Sequence, residues 1–75
     1  MKATKNVAVR LENTKPGHFK FWSAVLKNRT VRCFWGRIGS WTQSKKFSFE
    51  SELDALDFFQ RKMESKLHRG YVPAS

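Results

Sequence analysis

The chain opens on an alternation. In Asn6-Val7-Ala8-Val9-Arg10-Leu11-Glu12 the apolar Val7, Val9 and Leu11 alternate with Ala8, Arg10 and Glu12, the period-two pattern of a strand with one buried face. Asn13-Thr14-Lys15-Pro16-Gly17 then gathers residues that break strands and form turns. Residues 18–27 and 30–38 are both rich in aromatic and β-branched side chains, and Asn28-Arg29 separates them at hairpin length. Two paired strands are expected there. After a second break at Gly39 to Gln43, residues 44–49 place Phe47 and Phe49 on one face and Lys46 on the other, which predicts a fourth, shorter strand.

From Ser51 the period changes. Ser51 with Asp54 three residues on resembles a capping box, and Glu52, Asp54 and Asp57 favour the positive end of a helix dipole. Ala55, Leu56, Phe59, Met63 and Leu67 recur at three- and four-residue steps and form one apolar stripe. Lys66, His68 and Arg69 suit the helix C-terminus, and Gly70 suits a left-handed cap. A helix over about 52–69 is predicted. The fold class is therefore α+β: a four-stranded antiparallel sheet with one C-terminal helix packed on one face. Residues 1–75 are expected to form one domain with its core at about 6–71, Tyr71 folding back onto that core and Val72 to Ser75 fraying. Met1 directly before the first strand fits a stand-alone protein.

Composition narrows the function. The 75 residues carry a formal net charge of +9, with three Trp, seven Phe and one Tyr, and a pI of about 10.3 points to a polyanionic partner. The charge is segregated: residues 1–49 hold eleven Lys or Arg against the single acid Glu12, while residues 50–75 hold four against five acids. Cys33 is the only cysteine, so an intramolecular disulfide or a multi-thiolate zinc site is excluded and a reducing compartment fits. No apolar run approaches the roughly 20 residues that span a bilayer, and no signal-peptide block is present. A cytoplasmic or, in a prokaryote, nucleoid-associated protein is the expectation.

In the third strand alternation puts Cys33, Trp35 and Arg37 on one face and Phe34, Gly36 and Ile38 on the other. If Phe34 and Ile38 pack under the helix, Trp35 and Arg37 face outward, a flat ring beside a planar cation that suits sugar-phosphate recognition. The residues alone equally allow Trp35 a place in the core. Gly36 admits a neighbouring backbone or ligand. Trp22, between Phe21 and Ala24 in mid-strand, reads as core. Lys27, Arg29, Arg32, Lys45 and Lys46 are expected to line a phosphate track beside Trp35, and Trp41 on its loop is a stacking platform.

Trp35-Gly36-Arg37-Ile38-Gly39 closes the hairpin, and Gln43, Ala55, Phe58, Phe59, Lys66 and Gly70-Tyr71 follow in register. In this string the chain resembles the WGR domain family over nearly its whole length. The resemblance implies DNA binding: in poly(ADP-ribose) polymerases the similar module grips a DNA break, its motif Trp against the terminal nucleotide's sugar and basic residues on nearby phosphates. Trp35 takes that stacking role by resemblance. The motif Arg in those enzymes also contacts neighbouring domains, which leaves Arg37 between nucleic acid and protein. Gly39-Ser40-Trp41-Thr42-Gln43 lacks the Gly that often precedes the family's Gln, so a turn of different shape is expected.

The expected function is a nucleic-acid-binding module, DNA ends or breaks first and RNA as a variant, through Trp35, Gly36, Arg37, Trp41, Gln43, Lys45, Lys46, Arg29 and Arg32. The alternative is a protein interaction module without direct DNA binding. His18 and His68 lack companion ligands, and no nucleophile elbow, phosphate loop or paired carboxylate spacing occurs. Neither catalysis, a cofactor, a metal nor a membrane partner is expected.

Overall fold

The computed structural model describes residues 6–74. Five strands and one helix follow in chain order: β1 (Val7–Asn13), β2 (Lys20–Lys27), β3 (Thr30–Arg37), β4 (Thr42–Ser48), α1 (Glu52–His68) and β5 (Val72–Pro73). All pairings are antiparallel, in the spatial order β4-β3-β2-β1-β5. The expected α+β arrangement is present, with one strand more than the alternation predicted.

Local chemistry accounts for the connections. Asn13 is buried, and its side-chain oxygen accepts from the Lys15 backbone N–H at 3.2 Å. The His18 N–H donates to the Lys15 carbonyl, and Gly17 takes φ +86°, so the chain reverses at the predicted turn. Asn28-Arg29 closes the second hairpin, with Asn28 at φ +55°, a value asparagine tolerates better than most residues. The Thr30 hydroxyl ties this turn shut by donating to the Lys27 carbonyl at 2.8 Å.

At the start of α1 the Ser51 hydroxyl accepts from the Asp54 N–H at 3.0 Å, as the capping pattern required. At its end the Gly70 N–H reaches the Leu67 carbonyl and the Tyr71 N–H reaches the Lys66 carbonyl, with Gly70 at φ +96°. This is the paired Schellman closure, and it turns Tyr71 back onto the core.

One face of the sheet lies under α1. The register stacks Leu11, Trp22, Trp35 and Gln43 in one row, Val9, Ala24, Cys33 and Lys45 in the next, and Val7, Leu26, Val31 and Phe47 in the third. Leu11, Trp22, Ala24, Leu26, Val31 and Cys33 from these rows join Ala55 and Phe59 of α1 in the buried core. Phe58 leans on Phe47 and Phe49 at ring-centroid distances of 4.7 and 5.1 Å, pinning the first half of α1 to β4.

Three expectations need correction. The residues expected to fray include a strand: Val72 and Pro73 pair with Glu12 and Leu11, and the Ala74 N–H donates to the Arg10 carbonyl. Two residues carry too little pattern to read as a strand, and what recruits them is the unpaired edge that β1 offers. Leu67, read as part of the apolar stripe, is 41% exposed and outside the buried core, and the stripe ends in half-buried Met63 and Lys66. Finally, the face of β3 under the helix carries Cys33 and Trp35, whereas Phe34 lies on the face turned away. The expectations about Met1 and Ser75 fall outside the described residues.

Candidate nucleic-acid interface

Trp35 therefore reaches its surroundings from beneath the helix. It is half-buried against the core, directly across the ladder from buried Trp22. Two recesses meet at it. One, of about 220 Å³, is walled by Trp22, Cys33, Trp35 and Phe47 on the sheet and by Lys62 and Lys66 on α1. The other, of about 480 Å³, continues toward the end of β3 and includes Lys20, Trp35, Arg37, Lys66, Arg69 and Tyr71 in its lining. Trp35 and Lys66 belong to both, so the two recesses adjoin at these side chains and together make up the cleft.

The electrostatics of this cleft are one-sided. Lys20, Arg37, Lys62, Lys66 and Arg69 line it, and among the described residues no carboxylate does. Lys66 records the consequence. Partial burial holds its ammonium below the ordinary lysine pKa, and the positive charges of Arg69, Lys62 and Lys20 push it lower still. Its Nζ lies 5.2 Å from the centroid of the Tyr71 ring, a weak cation-π contact. An anion entering the cleft would relieve this crowding. Cys33 lies on the floor, where burial raises its thiol pKa against the pull of Lys62 and Lys66, so it is a packed neutral thiol and no ready nucleophile.

The expected site residues divide. Trp35, Gly36 and Arg37 line the cleft. Gln43 stands opposite Trp35 in the ladder and hence on the same face, with Lys45 one row along opposite Cys33. The Lys45 Nζ lies 5.2 Å from the Phe47 ring centroid. Trp41 is 77% exposed on the β3–β4 turn, as a loop platform would be. Arg32 and Lys46 lie on the opposite face of the sheet, and Arg29 sits in the turn at its far end. The expected single basic track beside Trp35 is thus split, because a sheet separates even and odd positions onto two faces however close they lie in sequence.

Gly36 proves to be a packing requirement. A Cβ there would lie 3.0 Å from the backbone carbonyl oxygen of Trp41, so the close neighbour is this chain's own turn. Lys20, Lys62 and Arg69 were not picked out as site residues, and Lys66 only through the family string. Lys62 and Lys66 are four apart and Arg69 follows by three, a helical spacing that puts them on one side of α1. That spacing was legible, but which strand it would overhang was not.

The comparisons agree with this architecture. A crystal structure of a protein from Bacteroides fragilis superposes with a TM-score of 0.87 at 22% identity, covering 92% of this chain and 20% of the other. At that identity the likeness shows the fold, and the chain spans about a fifth of that protein's length. No curated protein sequence matches. The family model for the WGR domain matches residues 5–75. Domains of this family are binding modules, and in poly(ADP-ribose) polymerase-like proteins they generally take nucleic acid. Among the described residues no helix is long and apolar enough to cross a membrane. The match runs over essentially the whole chain and includes the Trp35-Gly36-Arg37 tripeptide at the cleft, and the chain belongs to the WGR domain family.

Proposed function

We propose that this chain binds DNA at an end or break, with the terminal nucleotide entering the cleft at Trp35. The observation that carries the reading is the convergence of Lys20, Arg37, Lys62, Lys66 and Arg69 on one half-buried tryptophan with no carboxylate among them. An aromatic edge suits a sugar or base, and the surrounding cations suit its phosphates. The cleft is shallow and framed by a sheet and the side of a helix. It offers no projecting element to read base edges in a groove, so sequence selectivity is weak.

The test is an anisotropy titration of a blunt, 5′-phosphorylated duplex against a closed dumbbell of equal length across a salt series, for the native chain and for Lys62→Gln/Lys66→Gln. Tighter binding to the open duplex with a log-log salt slope of about −3 to −5 is expected. In the double variant the preference for the open end is lost and the slope is shallower by about 1.8, at about 0.9 per charge. Equal affinity for the dumbbell would remove end recognition. Absence of binding at low salt would remove nucleic acid and put a protein partner first.

A further inference from the structure

The face of the sheet turned away from α1 has a chemistry of its own. At its centre stands Phe34, half-buried, with Ser23 and Ser44 as its direct neighbours on β2 and β4. Both neighbours are short, so neither side chain overtops the ring. In the next row Val25, Arg32 and Lys46 lie side by side, and Lys27 pairs with Thr30 beyond them. These five residues line an open depression of about 350 Å³.

Arg32 and Lys46 are direct cross-strand partners, an arrangement of like charges that costs stability. Among the described residues Arg32, Lys46 and Lys27 have no ion-pair partner. The only acid within the five strands is Glu12 on β1, and it is held by Arg10 at 2.9 Å. A row of unneutralised cations beside an aromatic ring on an open sheet face matches a sugar-phosphate chain whose bases are free to stack. A duplex keeps its bases stacked inside and cannot present one to Phe34 in this way.

We infer that this open face is a second nucleic-acid surface that takes an unpaired strand, one base on Phe34 and its phosphates on Arg32, Lys46 and Lys27. The inference rests on nucleic acid being the partner class, but on none of the residues of the Trp35 cleft. One molecule thereby holds a duplex end on one face and a single strand on the other.

The experiment compares a fluorescent oligothymidylate of about 12 nucleotides with the blunt duplex, using the native chain, Arg32→Gln/Lys46→Gln, Phe34→Leu and Lys62→Gln/Lys66→Gln, each checked for native circular dichroism. Loss of the open-face cations is expected to weaken the oligothymidylate about tenfold or more and to make its salt slope shallower by about 1.4, at about 0.7 per charge. Phe34→Leu weakens it severalfold with the slope unchanged, and both variants keep duplex affinity within about twofold. Single-strand affinity unchanged in either open-face variant overturns the inference, as does an equal loss in Lys62→Gln/Lys66→Gln. A chain that binds oligothymidylate through the open face but ignores the duplex would sink the end-binding reading and leave this one standing.

Discussion

Trp22 and Trp35 stand directly opposite each other across the β2–β3 ladder, both on the face that α1 covers. The two rings do different work. Trp22 is buried in the core, while Trp35 is half-buried and forms a wall of both recesses. Core and candidate site are thus one continuous aromatic row, and disturbing one end reaches the other.

Trp22→Ala should cost about 3 to 5 kcal/mol, as much as a domain this small has to lose. Trp35→Ala should cost distinctly less because part of its ring already faces water. Urea denaturation followed by circular dichroism ranks the two, and equal costs would mean that Trp35 is as much core as Trp22.

Gly36→Ala places a methyl group 3.0 Å from the Trp41 carbonyl oxygen. The β3–β4 turn must shift to admit it, at a cost of about 1 to 3 kcal/mol. Displacement of that turn would appear as amide chemical-shift changes from residue 39 to residue 43. Unchanged stability and unchanged shifts would show that the turn yields freely.

Ser51→Ala removes the acceptor of the Asp54 N–H and should lower stability by about 1 kcal/mol. Ser51→Asp restores an acceptor and adds a favourable charge at the helix start, so it should recover most of the loss. Failure of the aspartate to recover stability in a thermal melt would show that the hydroxyl acts through something other than the cap.

Lys66→Gln should stabilise the free protein by up to about 1 kcal/mol while weakening duplex binding, because it removes a partly desolvated ammonium and relieves its repulsion from Arg69, Lys62 and Lys20. The pH dependence has a definite sign. The folded-state pKa of Lys66 lies below the ordinary 10.5, so in the window between them the unfolded chain binds more protons and stability rises with pH. The advantage of Lys66→Gln should therefore shrink as pH climbs toward 10.5. A constant difference across that window in parallel urea titrations would exclude charge crowding as its cause.

Much of the fold was legible because its signals are local. The alternation from Val7 to Leu11, the Asn28-Arg29 turn, the Ser51 cap and the Gly70 closure each depend on residues within a few positions of one another. Even the face of Trp35 was within reach. The two-residue turn that pairs Lys27 with Thr30 pairs Trp22 with Trp35 in the same register, so a core Trp22 carries Trp35 to the helix side. Alternation within β3 alone could not choose, because Phe34 and Trp35 make both of its faces aromatic.

The sequence by itself determined the elements, their hairpin pairings, the basic balance and the WGR string, since these follow from backbone preference, charge and side-chain period. Only the tertiary structure decided which sheet face the helix covers, which cations meet at Trp35 and which are left on the open face. It also recruited Val72–Pro73 to the free edge of β1. Those outcomes depend on contacts between segments far apart in the chain, where burial of the Trp22 and Phe59 side chains outweighs any local preference.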